Sequence, residues 1–169
     1  MLLVAALLWF NVLAPEGNTG ESAASVETGS AVGQLLEDFE VPCVDGSVFR
    51  LSDQRGKVVF LNLWATYCGP CVEELPWFGE LYREHGDEAA VLAVHASLVT
   101  EDLDAYLAEK DWGIPIAVDP PDDPIWRITG GGSAIPQTIV LDREGRVVYN
   151  QKGSVTPELL AQLLAQATG

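Results

Sequence analysis

Basic residues are scarce in this sequence. Nine Lys and Arg stand against 25 Asp and Glu, a formal net charge of -16 over 169 residues. A surface this acidic repels phosphate backbones, which excludes nucleic acid as a partner class. It argues equally against docking on anionic lipid headgroups. Cysteine is scarce too, and three cannot staple a disulfide-rich mini-domain. Only two histidines are present, His85 and His95. With Cys43 they offer Cys68 and Cys71 no second ligand pair at a zinc spacing, so no metal is expected. Long apolar runs are lacking as well. Met1 to Ala14 is apolar apart from Asn11, but a membrane span needs about 20 such residues. No basic residue precedes that run, as the first part of a secretory signal requires.

What is present suits one packed domain. Hydrophobic residues make up 48% and charged residues 20%, enough apolar surface for a core. Residues 1–14 read as a membrane anchor or export signal, with a buried strand or helix as the alternative. Pro15 to Gly33 carries four Gly, three Ser and three Glu and no aromatic residue, the composition of a flexible acidic linker. A hydrophobic tip on such a tether points to membrane attachment. The folded domain is then expected over 34–169, with neither tip nor tether supplying core.

Within that domain, Asp38 to Pro42 and Ser47 to Leu51 flank Asp45-Gly46, a hairpin signal. Lys57 to Ala65 is almost continuously apolar and reads as a central strand buried on both faces. A helix is predicted from about Pro70 to His85, and a second buried strand over Ala89 to Ala96. Thr100 to Lys110 places Leu103, Tyr106 and Leu107 on one helical face. Thr138 to Leu141 and Arg146 to Asn150 form a second hairpin around Asp142 to Gly145. Thr156 caps a last helix, Pro157 takes its first position, and Leu159, Leu160, Leu163 and Leu164 supply its apolar stripe. Alternating strands and helices closed by a hairpin and helix predict an α/β fold, a mixed sheet with helices on both faces.

Cys68-Gly69-Pro70-Cys71 carries the chemistry. It sits where a buried strand ends and a helix begins, the context of a redox-active pair. Free N–H groups and the helix dipole favour a thiolate there. Cys68, outermost and exposed, is the expected nucleophile, and Cys71, one turn in, resolves the mixed disulfide. Glu74 follows Cys71 by three residues and so lies on nearly the same side of the helix. The spacing alone leaves it either a proton acceptor for Cys71 or a solvated glutamate. Asn62, polar within an apolar strand, is expected to be buried and hydrogen-bonded. Pro136 opens a strand, where a cis bond is one option. Cys43 reads as a small buried hydrophobe or as a third redox thiol. His85 is expected in solvent, and His95 to be structural. Trp64, Tyr67 and Trp77 flank the dithiol as core, rim or partner-docking surface.

Trp64 to Cys71, with its continuation Val72-Glu73-Glu74-Leu75-Pro76, resembles the thioredoxin superfamily, and within it the exported TlpA/ResA-type thiol–disulfide oxidoreductases. Leu51-Ser52-Asp53 with Gly56-Lys57, Ile135-Pro136-Gln137-Thr138, and Asp142 to Arg146 are similar to other parts of that pattern. The resemblance spans about Leu35 to the C-terminus. It implies a thioredoxin fold with an N-terminal β-hairpin extension and a site of Cys68, Cys71 and Glu74. Ile135 and a cis Pro136 would hold the substrate chain, with Tyr67 at the rim. Asn62 stands where cytoplasmic thioredoxins carry an acidic residue, and Tyr67 replaces a common tryptophan. The implied activity is reduction of disulfides in partner proteins outside the cytoplasm. No organic cofactor is implied, and a membrane thiol donor of the DsbD/CcdA type would supply electrons. A thiol peroxidase of the AhpC/TSA type and a non-enzymatic copper chaperone of related fold are the alternatives.

Overall fold

The computed structural model describes residues 27–96, 103–122, 124–132 and 134–169. Two layers of side chains sandwich one five-stranded sheet. β3 (Val58–Trp64) lies at its centre, parallel to β4 (Ala89–His95) and antiparallel to β6 (Gln137–Leu141). β5 (Ile116–Val118) and β7 (Val147–Lys152) form the edges, giving the order β5-β4-β3-β6-β7. A separate two-stranded hairpin, β1 (Glu40–Pro42) with β2 (Val48–Arg50), precedes the sheet. This is the mixed α/β architecture and the hairpin extension that the sequence pattern implies.

Every residue of β3 and β4 is buried. A strand covered on both faces has no polar face to show, which is why its sequence is an unbroken apolar run. α1 (Gly69–His85) and α4 (Pro157–Thr168) cover one face. Phe60, Trp64, Phe78, Val140 and Leu160 pack together there, joined by Leu103, Tyr106 and Leu107 of α2 (Leu103–Ala108) and its flank. The expected start of α2 at Thr100 lies outside the described residues. α3 (Pro124–Ile128) brings Ile125 to the other face, where Val41, Phe49, Leu61, Leu63 and Ile139 form a second core. Burying each large apolar side chain is worth about 1.5–3 kcal/mol, so the sheet is anchored from both sides. Thr156 caps α4 by accepting from Leu159 N–H at 3.3 Å. Leu160, Leu163, Leu164 and Ala167 are buried in that helix, while Leu159 is only partly covered.

The ordered domain begins before Gln34. Leu35 N–H donates to Glu27 O at 3.0 Å, and Gly29 N–H returns a bond to Leu35 O at 2.9 Å. Gly33 N–H reaches Val147 O at 2.7 Å on β7. Residues 27–36 thus form a strap along the sheet edge, and Leu36 is buried in the second core. Residues 27–33, expected as linker, thus carry backbone bonds to the domain. Glycines and serines in this stretch read as linker, yet here their backbone groups bond the sheet edge. The apolar run 1–14 lies outside the described residues, and among the described ones no helix is long and apolar enough to cross a membrane.

Candidate active site

β3 ends at Trp64, and the chain turns through Ala65 to Tyr67 into α1. Cys68 N–H donates to Ala65 O at 3.0 Å, closing that turn. Cys68 is the N-cap of α1, with extended backbone, and its Sγ accepts from Cys71 N–H at 3.3 Å. Cys68 and Cys71 are joined as a disulfide, with Cα atoms 5.3 Å apart. Pro70 sits in the first helical turn, where its missing N–H has no partner to lose. Cys68 is less open than expected, with 9% of its surface exposed against 0% for Cys71. The order of accessibility holds: Cys68 is the outer of the two. Tyr67 beside it is 65% exposed.

Glu74 is not a solvated glutamate. It is fully buried on α1. Asn62 Nδ2 donates to its Oε1 at 2.7 Å, and Val155 N–H donates to its Oε2 at 2.9 Å. Burial pushes its carboxyl above the ordinary glutamate value, against the pull of those two donors. Asn62 also lies 3.5 Å from Thr138 Oγ1, its direct partner across β3 and β6. Asn62 is therefore the buried, bonded amide that its place in an apolar strand demands. Tyr149 on β7 feels the same carboxyl: burial, then the charge of Glu74, pushes its phenol up. Neither Tyr149 nor Val155 carried a sequence signal, since one acts through its place in a register and the other through a backbone N–H.

The Ile135–Pro136 bond is cis. Pro136 O accepts from Gly153 N–H at 2.8 Å. Gln137 pairs with Leu63, one residue before Trp64. Antiparallel pairing thus brings the start of β6 to the end of β3 that leads into the dithiol, so the proline loop and Cys68 share one end of the sheet. Ile135 packs against the core cluster containing both cysteines.

His95 is buried, and its Nε2 accepts from Thr66 N–H at 3.2 Å. Accepting there requires the neutral ring, so His95 braces the active-site turn as a structural group. His85 bonds to Glu88 at 2.9 Å at the far end of α1. Cys43 is a free, buried thiol in the first hairpin, and burial pushes its pKa up. Its backbone forms an isolated bridge with Ala117 of β5, and its side chain lies in the second core, which does not contain the dithiol. Among the described residues no three His, Cys, Asp or Glu side chains come together as a metal site needs.

Residues 32–150 match the AhpC/TSA family. The thiol-disulfide oxidoreductase ResA of Bacillus cereus is 30% identical over 145 residues, covering 85% of this chain and 83% of the relative. ResA of Geobacillus kaustophilus is 34% identical over 135 residues, covering 78% and 75%. Among solved structures, the pneumococcal exposed lipoprotein thioredoxin from Streptococcus pneumoniae superposes with a TM-score of 0.70. It is 31% identical, with 77% of this chain and 99% of that one covered.

Proposed function

The chain belongs to the AhpC/TSA family of thioredoxin-fold proteins, and from that premise we propose that it is an extracytoplasmic thiol–disulfide oxidoreductase that reduces disulfides in partner proteins. The observation that carries this reading is the Cys68–Cys71 bridge at the start of α1, with only Cys68 reaching the surface. In the reduced protein the Cys68 thiolate attacks one sulfur of a partner disulfide. A mixed disulfide forms, and the other partner sulfur leaves as a thiolate. Cys71 then gives its proton to Glu74 and attacks the Cys68 sulfur. The second partner thiolate leaves, and the Cys68–Cys71 disulfide remains. One electron pair has passed to the partner.

The Cys71 N–H aimed at Cys68 Sγ and the N-terminal end of the helix dipole both favour negative charge on that sulfur. The raised pKa of Glu74 moves its affinity for a proton closer to that of a thiol, which suits a proton acceptor. Ile135, held by the cis bond to Pro136, offers an extended substrate segment a backbone edge, with Tyr67 at the rim. Each cycle consumes a dithiol, so a donor must restore the pair, and a membrane thiol carrier of the DsbD/CcdA type fits a site outside the cytoplasm. Residues 1–14 would hold the protein to that membrane, on a tether running from 15 to the strap. The likeness to an exposed lipoprotein thioredoxin supports this placement.

Trapping tests the reading. With insulin as substrate, Cys71→Ser should accumulate a mixed disulfide and Cys68→Ser should not. A thiol peroxidase needs a lone attacking cysteine with a distant resolving one, and Cys68 has its partner three residues away. If the reduced protein consumes peroxide but leaves insulin intact, the reductase reading fails. Trapping through Cys71 instead would reverse the roles of the two thiols.

A further inference from the structure

Asn150 on β7 lies opposite Ile139 and shares a sheet face with Gln137, its diagonal neighbour. Its side chain ties three separate segments together. Nδ2 donates to Ser30 O at 2.9 Å and to Thr129 O at 3.0 Å. Oδ1 accepts from Gln137 Nε2 at 2.7 Å. Gln137 Nε2 also donates to Thr129 O at 3.2 Å, which closes the network. Ser30 belongs to the N-terminal strap, Thr129 follows α3, and Gln137 begins β6. Thr129 and Gln137 are the two ends of the loop that carries Ile135 and Pro136.

That loop opens with Gly130 to Gly132, which do little to hold a shape by themselves. Gly130 has φ +69, and the strap lies so close that a Cβ there would meet Ser30 Oγ at 2.7 Å. On its other side, Trp126 Nε1 donates to Gly132 O at 3.0 Å. The loop is therefore held at its edges, and among the described residues Asn150 is the one side chain bonded to both ends of it and to the strap. None of these bonds involves Cys68, Cys71 or Glu74.

We propose that Asn150 is a positioning residue for substrate docking, fixing the proline loop against the strap so that its edge is ready for an extended partner chain. The proposal rests on the reading of Ile135, set by the cis Pro136, as that edge. A preset edge spares the partner the cost of ordering it. Loss of Asn150 should thus weaken the binding of protein disulfides and leave the dithiol chemistry intact.

Two variants and two substrates test this. Asn150→Asp keeps the size and the acceptor for Gln137 but cannot donate to either carbonyl. Asn150→Ala removes all three bonds. Insulin probes protein docking, and hydroxyethyl disulfide, too small to lie along the loop, probes the dithiol alone. KM for insulin should rise about tenfold in both variants, the scale of one or two net hydrogen bonds. Turnover of insulin and the rate with hydroxyethyl disulfide should stay within about twofold of wild type. An unchanged KM, with an active wild type, overturns the positioning role and leaves the reductase reading standing. A parallel fall in the hydroxyethyl disulfide rate also overturns it, because the dithiol would then have moved. So does loss of the folded spectrum in both variants, which would make Asn150 a core residue. A wild type inactive on both disulfides removes the reading on which the proposal rests.

Discussion

Glu74→Gln separates two consequences of one buried carboxyl. Glu74 is fully buried and accepts from Asn62 Nδ2 and Val155 N–H. Asn62 Oδ1 is itself buried without a partner among the described residues. An amide at position 74 keeps the Val155 bond through its oxygen. Once Asn62 turns over, that amide donates to Asn62 Oδ1. The substitution exchanges a charge for a dipole at nearly constant volume and hydrogen-bond number. In the wild type, burial raises the folded pKa of Glu74, so the folded state binds this proton more tightly than the unfolded chain. The stability it contributes is full below the unfolded value of about 4.3 and falls as pH rises from there to the folded value. Beyond that it is constant, and each pH unit between the two values costs about 1.4 kcal/mol. Glu74→Gln has no such loss. Urea unfolding of the oxidised proteins should find the pair close in stability at about pH 4 and the variant ahead at about pH 8. Activity should move the other way. A general base is worth about 10²–10⁴ in rate, so resolution by Cys71 should slow about a hundredfold, whereas formation of the mixed disulfide holds within about twofold. Wild-type resolution should quicken as pH rises through the raised value. Rapid mixing with a fluorescent protein disulfide resolves the two steps. Equal slowing of both, or a stability difference independent of pH, would refute the argument.

Truncation tests the strap: a chain starting at Glu27 should match the full protein in urea, whereas one starting at Gln34 should be less stable. The bonds Leu35–Glu27, Gly29–Leu35, Gly33–Val147 and Asn150–Ser30 together account for about 2–6 kcal/mol at ordinary net values. The formal charge of -16 makes the compact state repel itself, so the urea midpoint should climb as salt rises from about 0.01 M to about 1 M. A flat profile would mean that acidic side chains are spaced beyond mutual reach. Gly69-Pro70, the dipeptide of thioredoxin itself, sets the expected direction of electron flow. Equilibration with glutathione should give a potential below about −220 mV, whereas one near −120 mV would make the protein an oxidant of its partners.

The central strands, α1, α4 and both hairpins were legible because each is long enough to show a period or carries its own turn or cap. β5 and α3 were not. Ile116 to Val118 is three residues behind Pro115, and its pairing to β4 is a tertiary fact. α3 spans five residues, and its first N–H groups are met by Asp119, which bonds Ile125 and Trp126 from outside the helix. The bonds of residues 27–35 were not legible, because composition reports side chains and these bonds are made by the backbone. The dithiol was legible as a motif. Its limited exposure was not, because covering Cys68 depends on the packing of the core cluster around it. Glu74 was half legible: helical spacing put it beneath Cys71, but only the fold supplies the Val155 N–H and the depth that raise its pKa.

The buried thiol of Cys43 has a consequence for how the protein matures. Three cysteines permit three pairings, and only Cys68 with Cys71 yields a working protein. On the export proposed above, a new chain would meet that choice in an oxidising compartment before it is folded. Folding the first hairpin against β5 removes Cys43 from the contest, because a covered sulfur with a raised pKa is neither reachable nor ionised. The order of events then decides the yield. Chains that close the hairpin first should mature directly, whereas those that first pair Cys43 with Cys68 or Cys71 must exchange that bridge before they can. Replacing Cys43 with serine or alanine would change little in the finished enzyme and should raise the fraction of chains that reach it.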